Sequence, residues 1–218
     1  MIRKLSVGAA ALTMVMFGSV RPASAATITF DQLVDFGGTI SGNGTTVTGT
    51  NIIFDEVVGS DGISGQLFCS PDCFLNFTSG TYDSGTGTYG AGGSFTVTGT
   101  VYTGTGGSGT QVATGTLLSG TFTSGQIVFG TFFVGVGPDT KNAALLAWFG
   151  LPTTTVFQFA DTNITGINTM TSGGTFTTSV KEADIVNTTA VPEPGSMVLL
   201  GSGLFALASV ARRRFGRK

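Results

Sequence analysis

The chain has 218 residues, of which 35 are glycine and none is histidine. Without histidine it cannot form a Ser-His-Asp or Cys-His nucleophile or any histidine-ligated metal site. Eight of its ten basic residues lie in the two terminal segments, so residues 26–190 carry two basic and eleven acidic side chains and a formal charge of −9. Such an acidic span has no basic surface for phosphates, which excludes nucleic acid as a partner.

The first 25 residues have the three parts of a secretory signal peptide. Arg3 and Lys4 supply the positive start, and residues 5–20 form an apolar core. The predicted signal peptidase site consists of Ala23, Ala25 and Ala26, with cleavage after Ala25. A retained first membrane helix is the less favoured alternative, because the apolar core is short for a stable span. We therefore expect export with removal of residues 1–25.

Residues 26–190 predict one β-rich exported domain that is long enough to bury a sizeable core. Short runs of β-branched and aromatic residues are bounded by Gly, Ser, Asn and Asp, a pattern typical of many short strands. The predicted strands cover residues 27–30, 45–48, 51–58, 74–78, 94–102, 126–136, 154–160 and 174–180. The expected fold class is all-β: a β-sandwich, jelly-roll-like or a partly closed barrel, with an N-terminal signal helix and a C-terminal transmembrane helix.

Three segments of this domain carry more specific expectations. Phe95 and Val97 alternate with hydroxyl residues and should face the core. Residues 127–134 are apolar at both parities, which predicts a central strand covered on both faces. Residues 142–149 have helix propensity, and the sequence leaves them open between a short helix and a strand.

The two cysteines of the chain, Cys69 and Cys73, are separated by three turn-forming residues. In the oxidising compartment that an exported protein reaches, a local disulfide is the leading hypothesis. A zinc site is disfavoured, because two thiols without histidine leave the ligand shell incomplete. A redox role is disfavoured because the spacing is one residue longer than Cys-x-x-Cys and no neighbouring basic residue would lower a thiol pKa.

Carboxylate pairs are the remaining catalytic candidates, since a glycosidase needs no histidine. The closest pairs are Asp31 with Asp35 and Asp55 with Glu56, and neither spacing demands a shared cleft. Solvation of these side chains at the surface is the favoured interpretation. The acidic composition keeps calcium open, but no Asp-x-Asp-x-Asp-Gly loop is present, and the sequence assigns no metal ligand and no cofactor.

Residues 191–218 form a separate C-terminal segment. Pro192, Glu193 and Pro194 make an extended acidic tripeptide, because both prolines disfavour helix. Residues 195–211 contain no ionisable side chain and would extend about 25 Å as a transmembrane helix, close to the ~30 Å hydrocarbon core of a bilayer. The residues that set topology follow directly, and they are Arg212, Arg213 and Arg214. Because basic residues stay cytoplasmic, we expect the tail inside and the body outside.

This order of tripeptide, apolar helix and terminal arginine cluster resembles the PEP-CTERM sorting signal of exported bacterial proteins. The resemblance covers residues 191–218 only, and an ordinary C-terminal membrane anchor is the alternative. It implies recognition by exosortase, a membrane-embedded cysteine transpeptidase-like enzyme, and therefore a transient anchor processed near Pro192-Glu193-Pro194. The family is associated with exopolysaccharide production and biofilm in Gram-negative bacteria, which makes exopolysaccharide a candidate partner.

The expected function is that of a non-enzymatic structural protein of the cell surface or exopolysaccharide matrix. Its expected partners are the secretion machinery, exosortase and, as an inner-membrane intermediate, the membrane itself. A carbohydrate-binding or adhesive module is the alternative, and a carboxylate glycosidase is the remote one. The module would use exposed aromatic rings near the glycine-rich stretches 80–93 and 104–109, which we expect to be flexible loops; the candidates are Tyr82, Tyr89 and Tyr102.

Overall fold

The computed structural model describes residues 25–32 and 37–189. Most of these residues lie in β-strands, which confirms the expected all-β class for the described part of the chain. In chain order the elements are β1 (Thr27–Asp31), β2 (Thr39–Asn43), β3 (Val47–Ser60), β4 (Gly65–Thr78), β5 (Tyr82–Asp83), β6 (Thr88–Tyr89), β7 (Gly92–Tyr102), a 3-10 turn (Thr105–Gly107), β8 (Gln111–Phe122), β9 (Ser124–Val128), β10 (Phe132–Lys141), helix α1 (Ala143–Trp148), β11 (Phe157–Gly166) and β12 (Thr175–Thr189).

The strands belong to one large sheet with antiparallel pairing. From β12 the pairing runs through β2, β3, β4, β7, β8 and β10, and β11 then joins β10 back to β12. β1 pairs with both β12 and β3, while β9, β6 and β5 continue from β10 outside this circuit. Each strand of the circuit therefore has a partner on both sides over at least part of its length, which limits exposed edges. The finer choice between a sandwich and a partly closed barrel stays a prediction.

The core is dominated by phenylalanine rings contributed by strands distant in sequence. Phe95 stacks on Phe159 with 4.5 Å between ring centroids, and Phe77 stacks on Phe133 at 4.9 Å. Phe122 meets Phe133 edge to face at 5.9 Å. Each such pair contributes about 0.5–1.5 kcal/mol beyond the burial of its area. The alternation that brings these rings inward thus adds contacts between strands to those of the backbone ladders.

Two of the segment expectations are settled by the structure. Phe95 and Val97 are 1% and 0% exposed, which confirms that they face the core. Most of the segment 142–149 is helical: α1 begins directly after Asn142, whose Oδ1 accepts a hydrogen bond from Ala144 N at 2.9 Å. This N-cap satisfies one of the backbone N–H groups that a helix start leaves without an intrahelical partner.

The predicted central strand over residues 127–134 is wrong. β9 ends at Val128 and β10 begins at Phe132, so the run is a hairpin with a turn in its middle. Phe129 adopts φ 52° in this turn, and its side chain is 92% exposed. The run is apolar at both parities because it joins the ends of two strands around an exposed turn, and not because one strand is covered on both faces.

Glycine-rich stretches contain more regular structure than the sequence suggests. Within residues 80–93, β5 and β6 form a two-stranded hairpin, so the expectation of a simple loop is wrong there. The 3-10 turn occupies the centre of residues 104–109. β2 and β8 also fall outside the predicted strands, because glycine mixed with threonine and serine hides the apolar alternation by which strands are recognised.

Candidate functional site

Most residues of the predicted sorting and processing signals lie outside the described part of the chain. These are Ala23, the tripeptide Pro192, Glu193 and Pro194, the predicted helix 195–211, and the topology residues Arg212, Arg213 and Arg214. Among residues 25–32 and 37–189, no helix is both long and apolar enough to cross a bilayer. Ala25 and Ala26 are described, and they place the start of the predicted mature chain in the fold.

Ala26 and Thr189 join the two ends of the described body. Ala26 N donates a hydrogen bond to Thr189 Oγ1 at 2.8 Å, and Thr189 N donates one to Ala26 O at 2.9 Å. Ala26 is only 6% exposed. The next register pair, Thr27 with Thr188, continues this contact into the β1–β12 ladder. The chain therefore enters and leaves the sheet at neighbouring points, and two residues separate Thr189 from Pro192.

Cys69 and Cys73 are joined by a disulfide inside β4. Cys69 pairs with Val101 of β7, whereas Phe74, five residues later, pairs with Thr98, only three residues away from Val101. β4 thus holds two more residues than β7 between these points, and the disulfide spans the resulting bulge. Gly99 lies against it, because a Cβ at that position would stand 2.7 Å from Cys73 Sγ.

A buried ion pair on β10 was not anticipated from the sequence. Lys141 Nζ donates to Asp139 Oδ1 at 2.5 Å, and both side chains are fully buried. The same ammonium lies 3.7 Å from the ring centroid of Phe157, a cation–π contact. Asp139 Oδ2 has no hydrogen-bond partner within the described residues. The sequence signal for this pair is weak, because it consists only of two charged residues at alternate positions of a strand.

The electrostatics of this pair are set by burial. Burial raises the pKa of Asp139, and the attraction of Lys141 offsets that effect only in part. Burial likewise lowers the pKa of Lys141 to about 8 against the attraction of Asp139. Both shifts favour the neutral forms, because removing two charges from water costs more than their mutual attraction returns.

The candidate carboxylates do not assemble a catalytic cleft in the described residues. Asp31 and Glu56 are register partners on β1 and β3, whereas Asp35 lies outside the described part. Glu56 is 5% exposed and accepts a hydrogen bond from Gln66 Nε2, so the expectation of surface solvation is wrong for Glu56. None of the three grooves described in the molecule is lined by these carboxylates.

Metal ligands are equally scarce. Within residues 25–32 and 37–189, no group of three or more Asp, Glu, Cys or His side chains could hold a metal ion.

The three tyrosines differ in their exposure. Tyr89 is 1% exposed, its ring packs 5.3 Å from that of Tyr82, and its hydroxyl accepts a hydrogen bond from Gly173 N at 3.3 Å. Burial raises the pKa of Tyr89. The expectation that it presents an exposed ring is therefore wrong, while Tyr82 and Tyr102 remain partly exposed.

The outer face of β7 displays hydroxyl groups. Ser94, Thr96 and Thr98 alternate along the strand with the buried Phe95 and Val97, and all three are at least partly exposed. Because successive side chains of a strand point to opposite faces, these hydroxyls lie on the side away from the core.

Register pairing places polar side chains from four neighbouring strands in one row across the sheet. Thr96 lies between Asn76 of β4 and Ser119 of β8, and Ser119 pairs in turn with Thr140 of β10. At strand spacings of 4.7–4.9 Å, this row is about 14 Å long. These four neighbouring strands of the sheet thus share a polar outer surface.

A second row lies beside the first and contains an aromatic ring. Thr98 lies between Phe74 of β4 and Thr116 of β8, and Phe74 is partly exposed. Two shallow grooves, of about 310 and 400 Å³, lie along the first row and share Thr96 in their lining, whereas the residues of the second row line neither groove. We call the surface the hydroxyl face, and its members are Phe74, Asn76, Thr78, Ser94, Thr96, Thr98, Thr116, Ser119, Thr121 and Thr140.

Comparison with known proteins bears on the C-terminal segment. Residues 190–214 match the family model described as the PEP-CTERM protein-sorting motif. The match covers this segment only, and it agrees with the resemblance that its residues carry. No curated protein and no solved structure matches the chain.

The matched segment defines the class of protein. A PEP-CTERM motif indicates an exported protein that exosortase recognises and sorts, and it implies passage through the membrane to the cell envelope. The motif begins directly after Thr189, where β12 ends. The matched motif thus indicates an exosortase-sorted exported protein, and the described residues that precede it form a β-rich body.

Proposed function

We propose that the protein is a non-enzymatic structural component of the cell surface or exopolysaccharide matrix of a Gram-negative-type bacterium. It enters the secretory route through residues 1–25 and is held as an inner-membrane intermediate by residues 195–211. Exosortase then processes it near Pro192-Glu193-Pro194. The observation that carries this proposal is the match of residues 190–214 to the sorting motif.

The geometry of the body supports cleavage at both ends without loss of a strand. Strand β12 ends at Thr189, and its last residue is tied to Ala26 by two hydrogen bonds. The processing motif thus follows the sheet after two residues, and cutting there removes no strand. Cleavage at the predicted site after Ala25 also leaves the β1–β12 ladder complete. Both processing events are compatible with an intact sheet.

A carbohydrate-binding role is the second candidate, and the hydroxyl face favours it. The tyrosines do not: Tyr89 is buried, and Tyr82 packs against it. The glycosidase alternative receives no support from the placement of Asp31 and Glu56 away from the described grooves.

Replacement of Pro192, Glu193 and Pro194 by alanine in the native host tests the sorting proposal. We expect the variant to accumulate as a membrane-bound form of full length, because exosortase no longer recognises its tripeptide. Cell fractionation followed by immunoblotting against the body measures this. Alanine at the exposed Thr153 and Thr154 is the control and should leave processing unchanged. Normal processing of the tripeptide variant would refute the proposal.

A further inference from the structure

We propose that the hydroxyl face binds an uncharged polysaccharide. This inference rests on the proposed function, since it names the matrix partner of the exported body. It starts from the two register rows, in which Thr96 and Thr98 of β7 each have a polar or aromatic neighbour on both adjacent strands. A sugar chain offers many hydroxyl donors and acceptors along its edges and apolar C–H faces above and below each ring. Its chemistry is complementary to a surface that combines hydroxyls with an aromatic ring.

The hydroxyls of the face are free to bind. Thr96, Thr98, Ser119 and Thr140 form no side-chain hydrogen bond with another residue in the part of the chain that the structure describes. Each hydroxyl can act as donor and acceptor, which suits a partner whose own groups do the same. Other hydroxyls of the sheet are already paired, as in Thr100 with Thr114 at 2.8 Å. The face therefore offers four neighbouring hydroxyls with unused hydrogen-bonding capacity.

The face is also organised before any ligand arrives. Threonine is branched at Cβ and has few side-chain conformations on a strand, so ordering it on binding costs little entropy. The strands below are fixed by the stacked pair of Phe95 and Phe159 and by the closed circuit of pairings. Gly120, paired with Phe95, carries that ring on its inner side, since a Cβ there would stand 2.4 Å from the ring. The hydroxyl rows thus rest on a rigid base.

Phe74 supplies the stacking contact. Its ring is partly exposed on the outer side of β4, directly beside Thr98. The following residue, Leu75, is 1% exposed and belongs to the core. Stacking of a sugar ring on Phe74 would align the chain with the row that starts at Asn76. The ring in this proposal thus belongs to Phe74, which the sequence did not single out, and not to Tyr82, Tyr89 or Tyr102.

Charge decides which kind of polysaccharide fits. Among the residues that line the two grooves, Asp139 alone is ionisable, and its side chain is fully buried. Residues 26–190 carry a formal charge of −9, and their two basic residues are Lys141, which is buried, and Lys181. A carboxylated or sulfated chain would meet long-range repulsion and no cation on this face. An uncharged chain meets neither obstacle.

Affinity electrophoresis tests this inference with defined probes. The full-length protein, kept in a detergent without sugar groups, is run through gels containing hydroxyethyl cellulose, dextran or alginate. We expect at least one of the two neutral polymers to retard the protein and alginate to leave its mobility unchanged. Retardation by alginate alone, or by none of the three polymers, would overturn the inference. The tripeptide processing assay gives a separate result, so loss of polysaccharide binding with normal processing leaves the sorting proposal intact.

Variants locate the binding to the face. Thr96→Val with Ser119→Ala removes two adjacent hydroxyls with little change of shape, and we expect about tenfold weaker retardation, the effect of two lost hydrogen bonds. The matched control, Thr153→Val with Ser172→Ala, removes two hydroxyls elsewhere and should behave as the native protein. Phe74→Leu keeps an apolar side chain but removes the ring, and it should also weaken binding. Native retardation of both face variants, with thermal unfolding unchanged, would refute the assignment.

Discussion

Lys141 has a fully buried side chain, although the ammonium group of lysine is normally exposed to water. Its ammonium is enclosed between the carboxylate of Asp139 and the ring of Phe157, with no access to solvent. Burial lowers its pKa from 10.5 to about 8, so the folded state resists its charged form. In the unfolded chain the same side chain keeps its proton up to its ordinary pKa. Folding and protonation of Lys141 are therefore coupled.

This coupling predicts that stability rises at alkaline pH. Between about pH 8 and pH 10.5 the unfolded state binds more protons than the folded state, so the free energy of unfolding increases with pH. The Lys141 contribution to this rise is on the order of 3 kcal/mol for a shift of this size. Urea denaturation of the purified protein at a series of pH values measures it.

The matched control replaces both members of the pair, as Asp139→Leu with Lys141→Met. We expect this variant to lack the alkaline rise and to be at least as stable as the native protein at pH 7, because well-packed apolar residues avoid the desolvation cost. Lys141→Met alone should lose about 3–5 kcal/mol, since it leaves Asp139 buried without its partner. Parallel pH profiles for the native protein and the double variant would contradict the account of Lys141.

Among the structural elements, β4 is the strand that contains the disulfide. The Cys69–Cys73 disulfide closes the bulge that shifts the β4 register against β7. Upstream of the bulge, Phe68 pairs with Tyr102, and downstream of it Phe74 pairs with Thr98. The bond therefore connects the hydroxyl face to the remainder of β4.

Reduction of this disulfide should lower the free energy of unfolding by about 2 kcal/mol, the chain-entropy value for so short a closed loop. Urea denaturation with and without dithiothreitol measures the difference. A variant with both Cys69→Ala and Cys73→Ala should not respond to the reductant. An equal response in that variant, or none in the native protein, would show that the bond does not stabilise the fold.

The elements also show where local sequence patterns succeed and fail. Alternation identified the inward residues Phe95 and Val97 because their strand has one polar face and one buried face. It failed over residues 127–134, where Gly130 and Thr131 are the only signals of a turn between apolar residues. The burial of Tyr89 could not be predicted, since it depends on Gly173, a partner 84 residues away in the chain.

At the scale of the whole molecule, the C-terminal sorting motif could be recognised from the sequence, the N-terminal signal peptide stays a prediction, and the fold of the body could be predicted only by class. The prolines, apolar run and arginines of the sorting motif act locally, so their order along the chain is sufficient to recognise it. The closed circuit of pairings depends on β11 meeting both β10 and β12, which no local pattern encodes. The hydroxyl face likewise arises from register between strands: Thr96, Ser119 and Thr140 are distant in sequence and become neighbours only in the sheet.

In the proposed function, both terminal segments direct delivery of the body and are then removed. The intact mass of the protein recovered from the envelope or medium of the native host tests this most directly. We expect a chain that begins at Ala26 and lacks residues 195–218, together with a mass well below the 22.1 kDa of the complete sequence. Recovery of a chain that still contains both terminal segments would contradict the claim.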